Sequence, residues 1–128
     1  MTQEVGEDEE LARYVFSRRQ IRADDTVRPE ALMPSPRYPD MSVTRHLSLS
    51  EEQIWKIGTQ VSIQRSKPLQ GRLDLATKNL TKHELLVKAD PLPDNKNHAN
   101  VTNWPQDKST QKQIALDICA EAGNVKKL

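Results

Sequence analysis

Four prolines fall between residues 29 and 39, namely Pro29, Pro34, Pro36 and Pro39. Proline has no amide hydrogen, fixes its own φ and pushes the residue before it out of the helical region. The segment therefore fits neither a helix interior nor a central strand. It predicts an extended arm over residues 23 to 40, laid across a body folded from the rest of the chain. Ala31, Leu32 and Met33 are apolar within it, so the arm is expected to be pinned to the core there. That body has little to spend on burial. Of 128 residues only 35% are hydrophobic, 4% aromatic and 29% charged. A chain of this length and polarity supports one modest core and a single domain.

The elements are read from periodicity. Residues 1 to 8 form an acidic lead-in expected to be disordered, and a single domain is expected over residues 9 to 123. Leu11, Ala12, Val15 and Phe16 recur at helical spacing, predicting a short N-terminal helix from Glu9 to about Phe16. Its acidic start and the following Arg13, Arg18, Arg19, Arg22 and Arg28 suit a solvated helix with a complemented dipole better than a basic binding strip. Met41 to Leu47 alternates as a strand, with Met41, Val43 and Arg45 on one side and Ser42, Thr44 and His46 on the other. Ser50 with Gln53 three residues on is a capping box, opening a helix that should end near Arg65, before Pro68. Its inner face is Ile54, Ile57 and Val61, with Trp55 at the margin.

Further on, Leu69, Gly71, Leu73 and Leu75 alternate as a half-buried strand. A polar turn or short helix covers Thr77 to His83, and Leu85 to Val87 reads as a brief strand. A Pro/Asp/Asn-rich loop follows over 89 to 97, then a short extended stretch from His98 to Val101. A last helix runs from about Lys108 to Ala122, capped by Asp107 or Ser109, with Ile114, Ala115, Ile118, Cys119 and Ala122 buried. Gly123 stands where a left-handed C-cap belongs, and residues 124 to 128 read as a flexible basic tail. This order predicts an α+β fold, with a small mixed or antiparallel sheet of three to four short strands, two main helices and the N-terminal helix.

Lys plus Arg (19) nearly balances Asp plus Glu (18), so no overall field draws the chain to nucleic acid or an anionic membrane. The single cysteine, Cys119, excludes an internal disulfide and reads as a small hydrophobe. The apolar runs are too short to span a bilayer, and the start carries acids where a signal peptide needs bases. A cytoplasmic location follows as the expectation.

Four fragments carry a resemblance: Arg28-Pro29-Glu30-Ala31-Leu32-Met33-Pro34-Ser35-Pro36, Met41-Ser42-Val43-Thr44-Arg45, Gly71-Arg72-Leu73-Asp74, and His98-Ala99-Asn100-Val101-Thr102-Asn103-Trp104-Pro105, the last followed by Lys108 and Gln111. The chain from about residue 12 to 122 resembles a group of small uncharacterised bacterial proteins. In that group a glycine often precedes the Trp-Pro. Here Asn103 takes its place, and Asn is the next-best residue for a left-handed backbone. The resemblance implies a bacterial, stand-alone single domain, and no activity comes with it.

Catalytic motifs are missing. Four glycines cannot build a phosphate-cradling loop, and there is no Gly-x-Ser-x-Gly. His83, Glu84, Asp90, Asp94 and His98 match no zinc or calcium spacing, so neither a metal nor another cofactor is expected. The one hydrolytic reading is a metal-independent ribonuclease. It centres on His98, with His46 as second acid or base and Arg45 or Arg28 on the phosphate. Against it stands the plainer role of His98 stapling its loop by hydrogen bonds to the backbone. Arg18, Arg19 and Arg22 without interleaved aromatics make a nucleic-acid regulator a lesser reading. Trp104 and Trp55 read as core-edge residues or, alternatively, interface anchors.

The balance favours a non-catalytic binding or accessory module acting on another protein, in a multi-protein setting such as a defence or toxin-related system. Arg28, Arg45, His98, Asn100 and Trp104 are its candidate binding residues.

Overall fold

A computed structural model describes residues 4–35 and 40–127. It is an α+β fold in which five strands form one sheet: β1 (Glu10–Val15), β2 (Met41–Arg45), β3 (Gly71–Ala76), β4 (Leu86–Ala89) and β5 (His98–Thr102). Three helices accompany them: α1 (Glu51–Arg65), the single-turn α2 (Lys78–Thr81) and α3 (Lys108–Ala122). The strand order is β3-β1-β2-β5-β4, and every neighbouring pair is antiparallel.

The N-terminal helix is the main correction, because Glu10–Val15 is a strand. It pairs with β3 along its whole length and with β2 at Leu11↔Arg45 and Ala12↔Thr44. Both of its faces are covered. Leu11 and Val15 join the larger core with Leu73, Val43, Val101, Ile118 and the arm's Leu32, while Ala12 and Tyr14 pack under Ile54 of α1. A strand covered on both sides loses the apolar–polar alternation that distinguishes it from a helix. This strand brings the sheet to five where three to four were expected.

The proline arm is pinned to the core as expected, but it is not extended throughout. Pro29–Leu32 makes a single 3-10 turn, and Ala31 and Leu32 are buried. Pro36 and Pro39 lie outside the described residues. Ahead of it, Arg22 and Arg28 hold a tight loop, with Arg22 Nη1 donating to Val27 O at 2.7 Å and Arg28 Nε to Arg19 O at 3.0 Å.

α1 has the capping box in full, Ser50 N donating to Gln53 Oε1 and Gln53 N to Ser50 Oγ, and it ends at Arg65. α3 is capped by Asp107, whose carboxylate accepts from Thr110 N. Asn103 has φ 67°, so the turn before Trp104 is left-handed, a conformation that asparagine tolerates better than most residues. Gly123 has positive φ (77°), but ψ of −139° places it outside the left-handed helical region. No helix among the described residues is long and apolar enough to cross a membrane.

The chain ends are anchored wherever they are described. Residues 1–3 and Leu128 lie outside the described residues. Arg45 Nη2 donates to Glu4 O and Lys78 N to Glu7 O, which ties residues 4 to 8 to the body instead of leaving a loose lead-in. The basic tail docks as well. Val125 is buried, and Lys126 exchanges both backbone hydrogen bonds with Arg72, extending the sheet beyond β3. Gly71 permits this approach, because a Cβ there would meet Lys126 O at 2.8 Å.

Gly58 of α1 is the other position where a side chain is excluded, since a methyl would meet the Tyr14 ring at 2.6 and 2.8 Å. That ring is fixed by its own hydroxyl, which donates to Ile54 O at 2.6 Å. Replacing a helical glycine by alanine ordinarily gains up to about 1 kcal/mol, whereas overpacking costs about 1–3 kcal/mol. Gly58→Ala is therefore expected to lose about 1 kcal/mol, read as a lower urea midpoint at unchanged slope.

Candidate functional site

The alternation of the strands decides which candidate residues share a surface. On β2, Ser42 and Thr44 face the α1 side with His46 just beyond, while Arg45 turns to the opposite side with Met41 and Val43. Thr44 lies opposite His98 and Ser42 opposite Asn100, so His98 and Asn100 also stand on the α1 side.

Arg45 and His98 are thereby separated. Arg45 is 3% exposed and makes a two-pronged pair with Glu9, Nε to Oε1 at 2.8 Å and Nη2 to Oε2 at 2.7 Å. That hydrogen bonding holds the Glu9 carboxyl below its usual range. Arg28 is tied to Arg19 O on the surface loop. Neither arginine reaches His98.

His98 and Asn100 do converge, on Asp90. His98 Nδ1 lies 2.9 Å from Asp90 O and 3.4 Å from Oδ2, and Asn100 Nδ2 donates to Oδ2 at 3.0 Å. The loop of residues 90 to 97 is stapled to β5 by these contacts. Asn95 adds to them from the buried side, donating from Nδ2 to Thr44 Oγ1 at 3.0 Å. Trp104 is half-buried against the larger core, its Nε1 donating to Val101 O at 3.1 Å. Asn103 ties the same turn to Glu84 O at 2.8 Å.

His46 belongs to a network that periodicity did not expose. Its Nε2 lies 3.0 Å from Asp74 Oδ1. Asp74 also accepts from Arg72, at 3.0 Å to Nε and 3.2 Å to Nη2, and from Lys126 Nζ at 2.8 Å. Arg72 is 1% exposed, reaches Glu51 at 2.6 Å and lies with its Cζ 4.8 Å from the Trp55 ring centroid. Although burial alone would raise it, these donors hold the Asp74 carboxyl far below its ordinary value. The readable signal was Arg-x-Asp on one strand, two opposite charges on one face under a helix that opens Glu-Glu.

Ligand atoms of Glu10, His46 and Asp74 lie within 4.8 Å of one another, a spacing compatible with a metal ion. However, two carboxylate oxygens offer about four acceptor sites, and at Asp74 these are met by His46, Arg72 twice and Lys126. A cation would have to displace two resident positive charges. The grouping is built as an ion-pair network.

A cavity of about 200 Å³ opens where β1 and β2 part beyond Ala12↔Thr44, under the C-terminal half of α1. Arg13, Arg65, Gln60, Asp94, Asn95 and His98 are among its lining residues. His98 thus shares a cavity with Arg13 and Arg65, neither of which the sequence reading placed there. Arg13 is a strand residue, not part of a solvated helix, and it fills the gap between β1 and β2. Asp94 is held by Gln64, and His98 by Asp90. No protein-family model, curated protein or solved structure matches the chain.

The depressed carboxylates Asp74, Glu9 and Glu51 set the pH response. In the unfolded chain such groups titrate near pH 4. Above that range their stabilisation is fully present, and it is lost as pH falls through the lower folded values. Stability should thus fall steadily from about pH 5 downward. Asp74→Asn should cost about 1–3 kcal/mol near neutral pH, since Arg72 keeps only Glu51 as a charged partner, and should flatten that acid slope. Denaturant titrations at a series of pH values measure both effects.

Proposed function

We propose that the chain is a non-catalytic binding module that receives an extended segment of a partner protein on the open edge of its sheet. One observation carries this reading: the two sheet edges are treated differently. On the β3 edge the chain's own Lys126 pairs with Arg72. Beside β4, no strand lies on the outer side among the described residues.

The phase of the open edge follows from the ladder. Asp90 N donates to His98 O, so that pair is hydrogen-bonded, and in an antiparallel ladder such pairs alternate. Leu86 and Lys88 accordingly bond inward to β5, while the amide and carbonyl groups of Val87 and Ala89 point outward. Exposed sheet edges are ordinarily blunted or covered, and an open one is a template for strand addition. Leu86, 46% exposed, and the exposed Lys88 flank it and offer an apolar and a cationic contact to the incoming segment.

The fate of the other candidates supports the same reading. Arg45 pairs with Glu9, His46 with Asp74, and His98 with the Asp90 loop, so the residues named for the ribonuclease reading do not come together. Bacterial origin and a multi-protein setting remain part of the proposal.

Affinity capture from the native host tests it, with the wild type beside Ala89→Pro. That substitution deletes an outward amide and leaves the β5 ladder intact. The wild type should retain a stable protein partner, and Ala89→Pro should weaken that complex at least about tenfold while still folding. Wild type that retains no protein, or equal capture by the variant, sinks the proposal. RNA turnover by the purified chain that disappears in His98→Ala would replace it with the hydrolytic reading.

A further inference from the structure

A second cavity, about 1090 Å³, opens between the proline arm, the start of α3 and the end of α1. Its charged lining is Arg13, Arg65, Lys67, Lys108 and Lys112 against one carboxylate, Glu30. In a chain of net charge +1, that is a local concentration of positive charge. Only Lys112 has an acidic partner among the described residues, at 3.8 Å from Glu30. Arg13, Arg65, Lys67 and Lys108 form no ion pair there.

Arg13 makes the imbalance informative. The buried arginines Arg45 and Arg72 each meet carboxylates, as a buried charge requires. Arg13, half-buried where the two cavities meet, has only neutral carbonyls: Ala31 O at 3.0 Å from Nε and Ser42 O at 2.8 Å from Nη1. The charge that acts on it is another cation, Arg65, held with its Cζ 5.3 Å from the Phe16 ring centroid. Desolvation first and then that like charge pull the Arg13 guanidinium down to about 10. Among the described residues no carboxylate is ion-paired with Arg13 or Arg65, so a bound anion would relieve both burial and repulsion.

We propose that this cleft binds a small phosphate-bearing molecule of the nucleotide class, its phosphate chain on the cations and its ring against the wall of Phe16, Met33 and Pro34. A compact polyanion matches several cations better than a single carboxylate does. The apolar wall gives the uncharged part a surface to cover. No residue of β4 lines the cleft, so this site is independent of the strand-addition edge.

Calorimetric titration of the full chain at low salt, with ATP, inorganic tripolyphosphate and adenosine as probes, tests it. ATP should bind more tightly than tripolyphosphate, adenosine should not bind measurably, and added salt should weaken both anions. Arg13→Gln should abolish binding, though it also disturbs the β1–β2 junction. The surface double variant Lys67→Gln/Lys108→Gln keeps the fold and should weaken ATP by about tenfold or more. Absence of heat with both anions overturns the proposal, as does adenosine binding equal to ATP or an unchanged ATP affinity in the double variant. Single-stranded RNA that binds more tightly than ATP and is lost in the same variant would replace the nucleotide with a nucleic-acid ligand.

Discussion

The fold is organised around one buried positive charge. Arg72 sits almost fully inside the protein, where an unpaired guanidinium is untenable. Its solution draws on distant parts of the chain: Asp74 from its own strand, Glu51 and Trp55 from the first turns of α1, and its backbone pairing with Lys126 near the C-terminus. Lys126 and His46 then complete the shell of Asp74. Helix start, sheet edge and chain end are thus fixed in one place by electrostatics, in a chain with too few large apolar groups to do it by packing alone. A hydrophobic substitute could be as stable, but it would not specify which end of α1 lies over β3.

Local chemistry was legible where it is self-contained. The Ser50–Gln53 box, the Asp107 cap, the ends of α1 and α3 and the left-handed Asn103 each depend on residues within one turn of one another. The first strand was not legible for the opposite reason. Leu11, Ala12, Val15 and Phe16 satisfy helical spacing, and their strand assignment depends on two layers contributed from more than a hundred residues of later chain. Once Glu10–Val15 is a strand, Arg13 moves from a solvent face into the body of the protein.

The candidate site divides in the same way. The alternation Met41-Val43-Arg45 against Ser42-Thr44-His46 already sets Arg45 and His46 on opposite sides, so strand periodicity alone argues against a catalytic set containing both. The pairing of Thr44 with His98 is a register fact, and registers between distant strands are not written in either strand. Lys126 at the β3 edge was hidden by a related blind spot: short polar tails read as loose, and only the glycine at 71 hinted that another backbone comes close.

The contrast between half-buried Arg13 and the two buried arginines bears most directly on function. Arg45 and Arg72 have acids placed to receive them, and their surroundings are complete without any other molecule. Arg13 is held in position by two main-chain carbonyls, which orient a guanidinium but do not neutralise it. Its donors satisfy two main-chain carbonyls where β1 and β2 part, which accounts for the hydrogen bonds and not for the charge. An oriented charge with no ion-pair partner among the described residues, beside a second cation at the meeting point of two cavities, is energetically unfavourable. It becomes economical when an anion arrives, and that asymmetry between empty and occupied states is what distinguishes a binding site from a salt bridge.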